Sequence, residues 1–232
     1  MNFHFFTRNK NALSAEVHQP AGEQISLLRQ IVASMAELIE TRSGGNGQHV
    51  KLTTGFIWIL ASAARENGYH KKELTDERIE QMVICSTLHD VGKIMIPDRI
   101  LNKPGKLTDE EFEVMKSHAV LGGRLAREIM ASQHPSYQKM AEEIATYHHE
   151  KWNGTGYPTG AAGEDIPLCA RIMAIVDVFD ALVSPRVYKE VMDPETALAL
   201  IRSDGGTHFD PTLAELFYHK KKDILAMMQD VQ

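Results

Sequence analysis

Apolar residues recurring at helical spacing, with no stretch of convincing alternation, constrain this chain more than any other feature of its sequence. From Gln24 to Arg42, "QISLLRQIVASMAELIETR", the residues Ile25, Leu28, Ile31, Val32, Met35, Leu38 and Ile39 fall into an amphipathic pattern that suits the core or a partner helix. "SGGNGQ" (Ser43–Gln48) breaks the pattern. Leu52–Glu66 and Glu77–His89 read as two further helices, with Gly68 and Gly92 as punctuation. After a proline-containing loop, Ile96–Leu107, "TDEE" (Thr108–Glu111) is a capping box that starts a helix reaching about Ala131. Another helix spans about Pro135 to His149, and "NGTGYPTGAAGEDIP" (Asn153–Pro167) is a loop. Leu168–Val183, strongly apolar, then Pro194–Ile201 and Pro211–Met228 complete the pattern. The expectation is an all-α bundle of about seven or eight helices, preceded by a loose tail over residues 1–20.

With 232 residues, 43% hydrophobic and 24% charged, the chain has the material for a sizeable core. No apolar run approaches the ~20 residues of a membrane span. The opening "MNFHFFTRNKNALSAEV" has no long apolar stretch after a basic start, so no signal peptide is expected. Cys85 and Cys169 lack CxxC spacing and lie in apolar surroundings. They read as buried thiols in a reducing compartment, and the cytoplasm is the expected location. A net charge of −6 argues against binding a nucleic-acid polymer, which rests on many Lys and Arg contacts to phosphates. A small anionic ligand needs only a few well-placed cations.

Eleven histidines are more informative, because several stand beside Asp and Gly in the middle third of the chain. In "CSTLHDVGKIMIPDRILNKPG" (Cys85–Gly105), His89 and Asp90 lie together at the end of an apolar segment. Singly, the candidates have plain readings. A His-Asp pair arises by chance, His118 in "MKSHAVLGG" fits a surface position, and His148–His149 in "ATYHHEKW" fit a helix C-terminus, where the dipole favours a cation. Asp177 in "ARIMAIVDVFDALVS" resists such a reading. A carboxylate among Ile175, Val176, Val178 and Phe179 costs several kcal/mol unless it is paired or bound to a cation. Asp180, on much the same face, is a supporting partner or a cap.

Imidazoles and carboxylates without a thiolate suit Fe, Mn, Zn or Ni rather than a Cys-rich structural zinc site. They outnumber the ligands one ion needs, and an aspartate among them can bridge two ions about 3.5–4 Å apart. Such sites activate water and clamp phosphoryl oxygens, so the sequence favours metal-assisted phosphoester hydrolysis over a structural metal. "GTGYP" (Gly154–Pro158) is either an exposed turn or a backbone that approaches a ligand closely, with Tyr157 and Trp152 available for stacking. Lys93, Arg186 and Lys189 are either solvated charges or phosphate contacts, and both readings stay open at this point.

"HDVGK" (His89–Lys93), "HHEKWNGTGYP" (His148–Pro158) and "DVFDALVSPRVYK" (Asp177–Lys189) resemble the HD-GYP family of the HD phosphohydrolase superfamily. "IPDRILNKPGKLTDEEFEVMKSHAVLGG" and the later "FDP" (Phe209–Pro211) fit the same pattern, so the resemblance covers roughly Arg42 to Phe217. It implies an HD-domain helical bundle, residues 42–232, with a binuclear metal site in its core, behind a tail and a signalling or dimer helix over residues 1–41. The implied activity is hydrolysis of cyclic di-GMP to pGpG, or on to GMP, through a metal-activated hydroxide. The implied ligands are His49, His89, Asp90, His118, His148, His149 and Asp177, with Asp90 bridging and catalytic. The implied metals are two divalent ions, iron first, manganese next, zinc or nickel after them. Lys93, Arg186 and Lys189 match substrate-phosphate contacts. The GYP loop with Tyr157 is implicated in the substrate site and in contacts with diguanylate cyclases, and a homodimer is a further expectation.

Departures from the family pattern sharpen these expectations. Gly45 stands where three-metal members carry a glutamate, which points to two metals and to pGpG as the main product. Leu52 replaces the usual arginine after the first histidine, and "RPYK" is "RVYK" here. Two alternatives accompany the leading reading: hydrolysis of another cyclic dinucleotide or phosphoester, and a catalytically silent module that binds cyclic di-GMP or a partner.

Overall fold

The computed structural model describes residues 21–43, 48–184 and 191–230, with side chains from residue 25 in the first stretch and residue 50 in the second. The expected tail lies outside them. The described residues form ten α-helices: α1 (Ala21–Arg42), α2 (Gln48–Glu66), α3 (Asp76–Ser86), α4 (Asp98–Leu101), α5 (Asp109–Ile129), α6 (Pro135–Tyr147), α7 (Leu168–Val183), α8 (Pro194–Ser203), α9 (Pro211–His219) and α10 (Lys221–Asp230). Two short 3-10 turns, Val91–Met95 and Gly163–Asp165, join them, and there is no strand among the described residues. The all-α expectation is met.

Local chemistry explains most of the boundaries. The capping box forms as read: Thr108 Oγ1 accepts from Glu111 N at 3.2 Å and Thr108 N donates to Glu111 Oε2 at 2.8 Å. Helices α6, α8 and α9 each start with proline next to a side-chain cap, from His134, Asp193 and Asp210 respectively. Helix α7 is the spine. Leu168, Ile172, Ile175, Val176, Phe179 and Val183 are all buried, and Phe179 meets Phe56 and Phe217 edge-on, each at 5.2 Å between ring centroids. Val32 and Ile39 bring α1 into the same core. Cys85 and Cys169 are buried free thiols, as expected.

Several boundaries differ from the pattern-based reading, and α2 starts at Gln48 rather than Leu52. The helix expected to reach His89 ends at Ser86. There, Ser86 Oγ and Thr87 Oγ1 bond the carbonyls of Val83 and Ile84, each at 2.8 Å, and compete with the ladder for its last acceptors. The backbone tightens to Leu88 N–Cys85 O and His89 N–Ser86 O contacts, so His89 and Asp90 leave the helix together. A single helical turn, α4, lies within the expected loop Ile96–Leu107. The segment Pro211–Met228 divides at Lys220, whose N–H is shared between Leu216 O and Phe217 O at 3.1 Å each. The break lets α10 fold back so that Ile224 is fully buried and Met227 lies on Gly55, where a Cβ would stand 1.7 Å from its Cε.

Candidate metal centre

Four elements deliver the site. His89 and Asp90 follow α3, His118 sits in α5, His148 and His149 follow α6, and Asp177 lies in α7. What brings the first pair against α5 is Gly92. A Cβ there would lie 2.0 Å from His118 O and 2.6 Å from Gly122 N, so only glycine allows the turn after Asp90 to rest on the backbone that carries His118.

Asp90, His118, His148 and His149 each aim a ligand atom into one space, all within 4.8 Å of one another. Asp90 Oδ1 is 3.4 Å from His118 Nε2 and 3.9 Å from His148 Nε2. His89 Nε2 lies 3.3 Å from Asp90 Oδ2 and 3.8 Å from Asp177 Oδ1, which puts both expected ligands at the edge of the cluster. His49 is in α2, but its side chain lies outside the described residues, as do Arg186 and Lys189 altogether.

Three of the imidazoles share one hydrogen-bonding arrangement. Nδ1 of His89 contacts Ser86 O at 2.9 Å, that of His118 contacts Met115 O at 2.7 Å, and that of His148 lies 3.1 Å from Ile144 O and 3.0 Å from Ala145 O. A carbonyl accepts only, so each Nδ1 carries a proton. His118 and His148 then present an Nε2 lone pair to the cluster, while His89 Nε2, between Asp90 and Asp177, also holds a proton that a cation would displace. His118 Nε2, His148 Nε2 and Asp90 Oδ1 are buried without a hydrogen-bond partner among the described residues. Each orphan costs about 1–3 kcal/mol unless something satisfies it. A divalent cation satisfies all three, and the donor set fits one.

Electrostatics agree with that fit. Burial, aided by the neighbouring imidazoles, keeps His148 neutral far below the usual histidine range. Burial likewise lowers His118, and it takes His149 to about 4. For His89, burial also opposes the charge, but Asp90 and then Asp177 outweigh it and push the pKa up to about 9. Burial opposes the charge on Asp90 too, yet Lys93 and His89 hold its carboxyl well below the usual range. Lys93, whose ammonium bonds Asp90 Oδ2, is raised by Asp90 against its own burial.

Tyr157 covers the cluster from the GYP loop. Its ring lies 4.8 Å from that of His149, its N–H donates to His149 O at 3.2 Å, and burial raises its hydroxyl pKa, keeping it a donor. Glu150, a residue that pattern reading passed over, fastens this loop from below. Its buried Oε1 accepts from Thr159 N at 2.7 Å, Thr159 Oγ1 at 2.8 Å and Gly160 N at 3.1 Å. Its place directly after His148–His149 was the available signal.

The sequence profile of the HD domain matches residues 26–213, most of the chain and all of the described ligand positions. The chain belongs to the HD domain family. A Vibrio cholerae protein named "Probable cyclic di-GMP phosphodiesterase" is 40% identical over 220 residues, which are 94% of this chain and 50% of that protein. The same organism's "3'3'-cGAMP-specific phosphodiesterase 2" is 37% identical over 199 residues, 86% of this chain and 36% of that one. This HD domain chain thus spans half or less of the length of these relatives. Its fold is similar to the crystal structure of a cyclic GMP-AMP specific phosphodiesterase from V. cholerae, with a TM-score of 0.59 at 17% identity over 88% of this chain and 51% of that one.

Proposed function

We propose that this HD domain is a metal-dependent phosphodiesterase that hydrolyses cyclic di-GMP, with pGpG as the main product. The observation that carries the reading is the convergence of buried, unsatisfied Nε2 and carboxylate atoms beside the Lys93 ammonium. His89, Asp90, His118, His148, His149 and Asp177 would hold two divalent ions, with His49 as a further ligand. Iron heads the choice, then manganese, as the family resemblance implies; imidazole and carboxylate donors, with both thiols buried as free cysteines, suit either ion. Bound ions supply activation of water and neutralisation of phosphoryl charge.

The protein's own groups do the rest. Asp90 is the catalytic carboxylate at the centre, and Lys93 stays protonated beside it to meet a substrate phosphate. Tyr157 offers a ring and a hydroxyl donor at the rim, and Arg186 and Lys189 contact the dinucleotide. The reading includes a cytoplasmic location, a catalytic unit over residues 42–232, a diguanylate cyclase as partner at the GYP loop, and a homodimer through α1, which exposes Leu27, Ile31 and Leu38. No helix among the described residues is long and apolar enough to cross a membrane.

Anaerobic protein loaded with Fe2+ or Mn2+ is expected to convert cyclic di-GMP to pGpG on chromatography, while Asp90→Ala stays at background. No conversion by the loaded wild type sinks the reading. The relative named for 3'3'-cGAMP supports a second one, in which the same centre acts on that dinucleotide, and rates on both substrates side by side separate the two.

A further inference from the structure

Arg42, the last residue of α1, reaches the turn that carries the central site residues. Its Nη1 donates to Lys93 O at 2.8 Å and its Nη2 to Ile96 O at 2.8 Å. Nε and Nη2 also reach Asp98 Oδ1, at 3.1 and 2.7 Å. One planar fork therefore joins the end of α1 to the turn Val91–Met95 and to the first residue of α4, a geometry a lysine ammonium cannot reproduce. The pair with Asp98 is exposed and contributes little, whereas the two carbonyl bonds are partly buried.

The turn that Arg42 grips is the one that aims Asp90 and Lys93. Lys93 N closes on Asp90 O at 2.9 Å, and the Lys93 ammonium bonds the Asp90 carboxylate. On one side Gly92 rests this turn on α5, and on the other Arg42 ties it to α1. Sliding α1 by one residue moves Arg42 about 1.5 Å, enough to stretch a 2.8 Å bond beyond the range where it holds.

We propose that Arg42 is a positioning residue for the metal centre, and the point at which a displacement of α1 reaches Asp90 and Lys93. The proposal rests on the metal-centre reading and adds a residue outside the ligands and substrate contacts.

The test is calorimetric titration of Mn2+ into chelator-stripped full-length protein. Arg42→Gln is expected to raise the Mn2+ Kd about tenfold, the effect of losing a support behind the ligands, with circular dichroism unchanged. Its kcat on cyclic di-GMP falls by a similar factor while KM stays within about twofold. Asp98→Asn, which keeps both carbonyl bonds, stays close to wild type. Wild-type Mn2+ affinity in a folded Arg42→Gln protein overturns the proposal. Should that variant not fold, Arg42→Lys replaces it: a single ammonium cannot bridge all three acceptors, so its Kd rises too, and an unchanged Kd is again decisive against. A wild type that takes up no Mn2+ overturns the metal centre and this proposal together. A wild type that binds Mn2+ without turning over cyclic di-GMP counts against the substrate alone, and the Mn2+ Kd values of the variants still decide the role of Arg42.

Discussion

Each imidazole that commits its Nδ1–H to a backbone carbonyl has only one nitrogen left for chemistry, and at His89 that nitrogen faces two carboxylates. Without a cation it holds a proton; with one, the cation takes the proton's place. At pH 7 a His89 pKa of about 9 keeps the ring charged, so metal uptake is expected to release about one proton per chain from this residue. Titrations of Mn2+ in buffers of different ionisation enthalpy measure that number, and zero release contradicts the assignment. The metal-free protein carries the matching signature in its stability. An unfolded histidine titrates near 6.5. His118, His148 and His149 titrate below that in the fold, so their contribution is complete above pH 6.5 and drains as pH falls toward the value of about 4 reached by His149. His89 titrates above it, so its contribution is complete below pH 6.5 and is lost as pH rises through about 9. The stripped protein is therefore expected to melt highest near pH 6.5. A melting temperature that climbs steadily from pH 7 to 9 would count against this balance.

Among the elements, the short turn after Asp90 matters more than its length suggests, because it is seated by contact rather than by sequence propensity. Gly92→Ala places a methyl 2.0 Å from His118 O, against backbone that cannot rotate away. The turn and α5 must then separate, at an expected cost of about 1–3 kcal/mol. His118 and Asp90 separate with them, so Mn2+ affinity is expected to fall as well. Paired melts and titrations check both, and wild-type values in both would show that α5 yields without disturbing the ligands. This element also shows where sequence reading stops. Asp177 was legible because a carboxylate among apolar residues needs a reason, the histidines and Asp90 only as a set and through the family resemblance that their motifs carry, and α5, α6 and α7 from caps and periodicity. The end of α3 was not. Periodicity carries through to His89, and only hydroxyl groups competing for the last carbonyls stop the helix at Ser86. For Glu150 the only signal was its place after His148–His149, and its role was not legible, since its partners Thr159 and Gly160 belong to a loop whose path no local pattern encodes.

Across the whole molecule, the bundle is tied by a polar knot that local patterns could not reveal, because its members are far apart in sequence. Arg171 of α7 bonds Asp210 Oδ2 at 2.8 Å, Tyr69 OH donates to the same oxygen at 2.7 Å, and Arg171 also donates to Tyr69 OH at 3.1 Å. Asp210 Oδ1 meanwhile caps α9 through Thr212 N and Leu213 N. Both charged partners are almost fully buried, at 4% and 1% side-chain exposure, so neither can turn to water if the other is removed. Desolvation, and then the bond to Asp210, push the Tyr69 hydroxyl up to about 12, so it remains a donor throughout the neutral range. Breaking such a pair on one side leaves an uncompensated buried charge and costs about 3–5 kcal/mol. Asp210→Ala also removes the α9 cap, and is expected to lower the melting temperature by roughly 10 °C or more. Tyr69→Phe removes one neutral donor and should cost about 1 kcal/mol. None of the three supplies an atom to the metal cluster, so the fall should be nearly equal in stripped and Mn2+-loaded protein. Melts of both variants in both states test this. An Asp210→Ala protein that melts with wild type would show that the knot is not what joins α7 to α9. A fall seen only in the loaded state would place Asp210 in support of the metal centre instead.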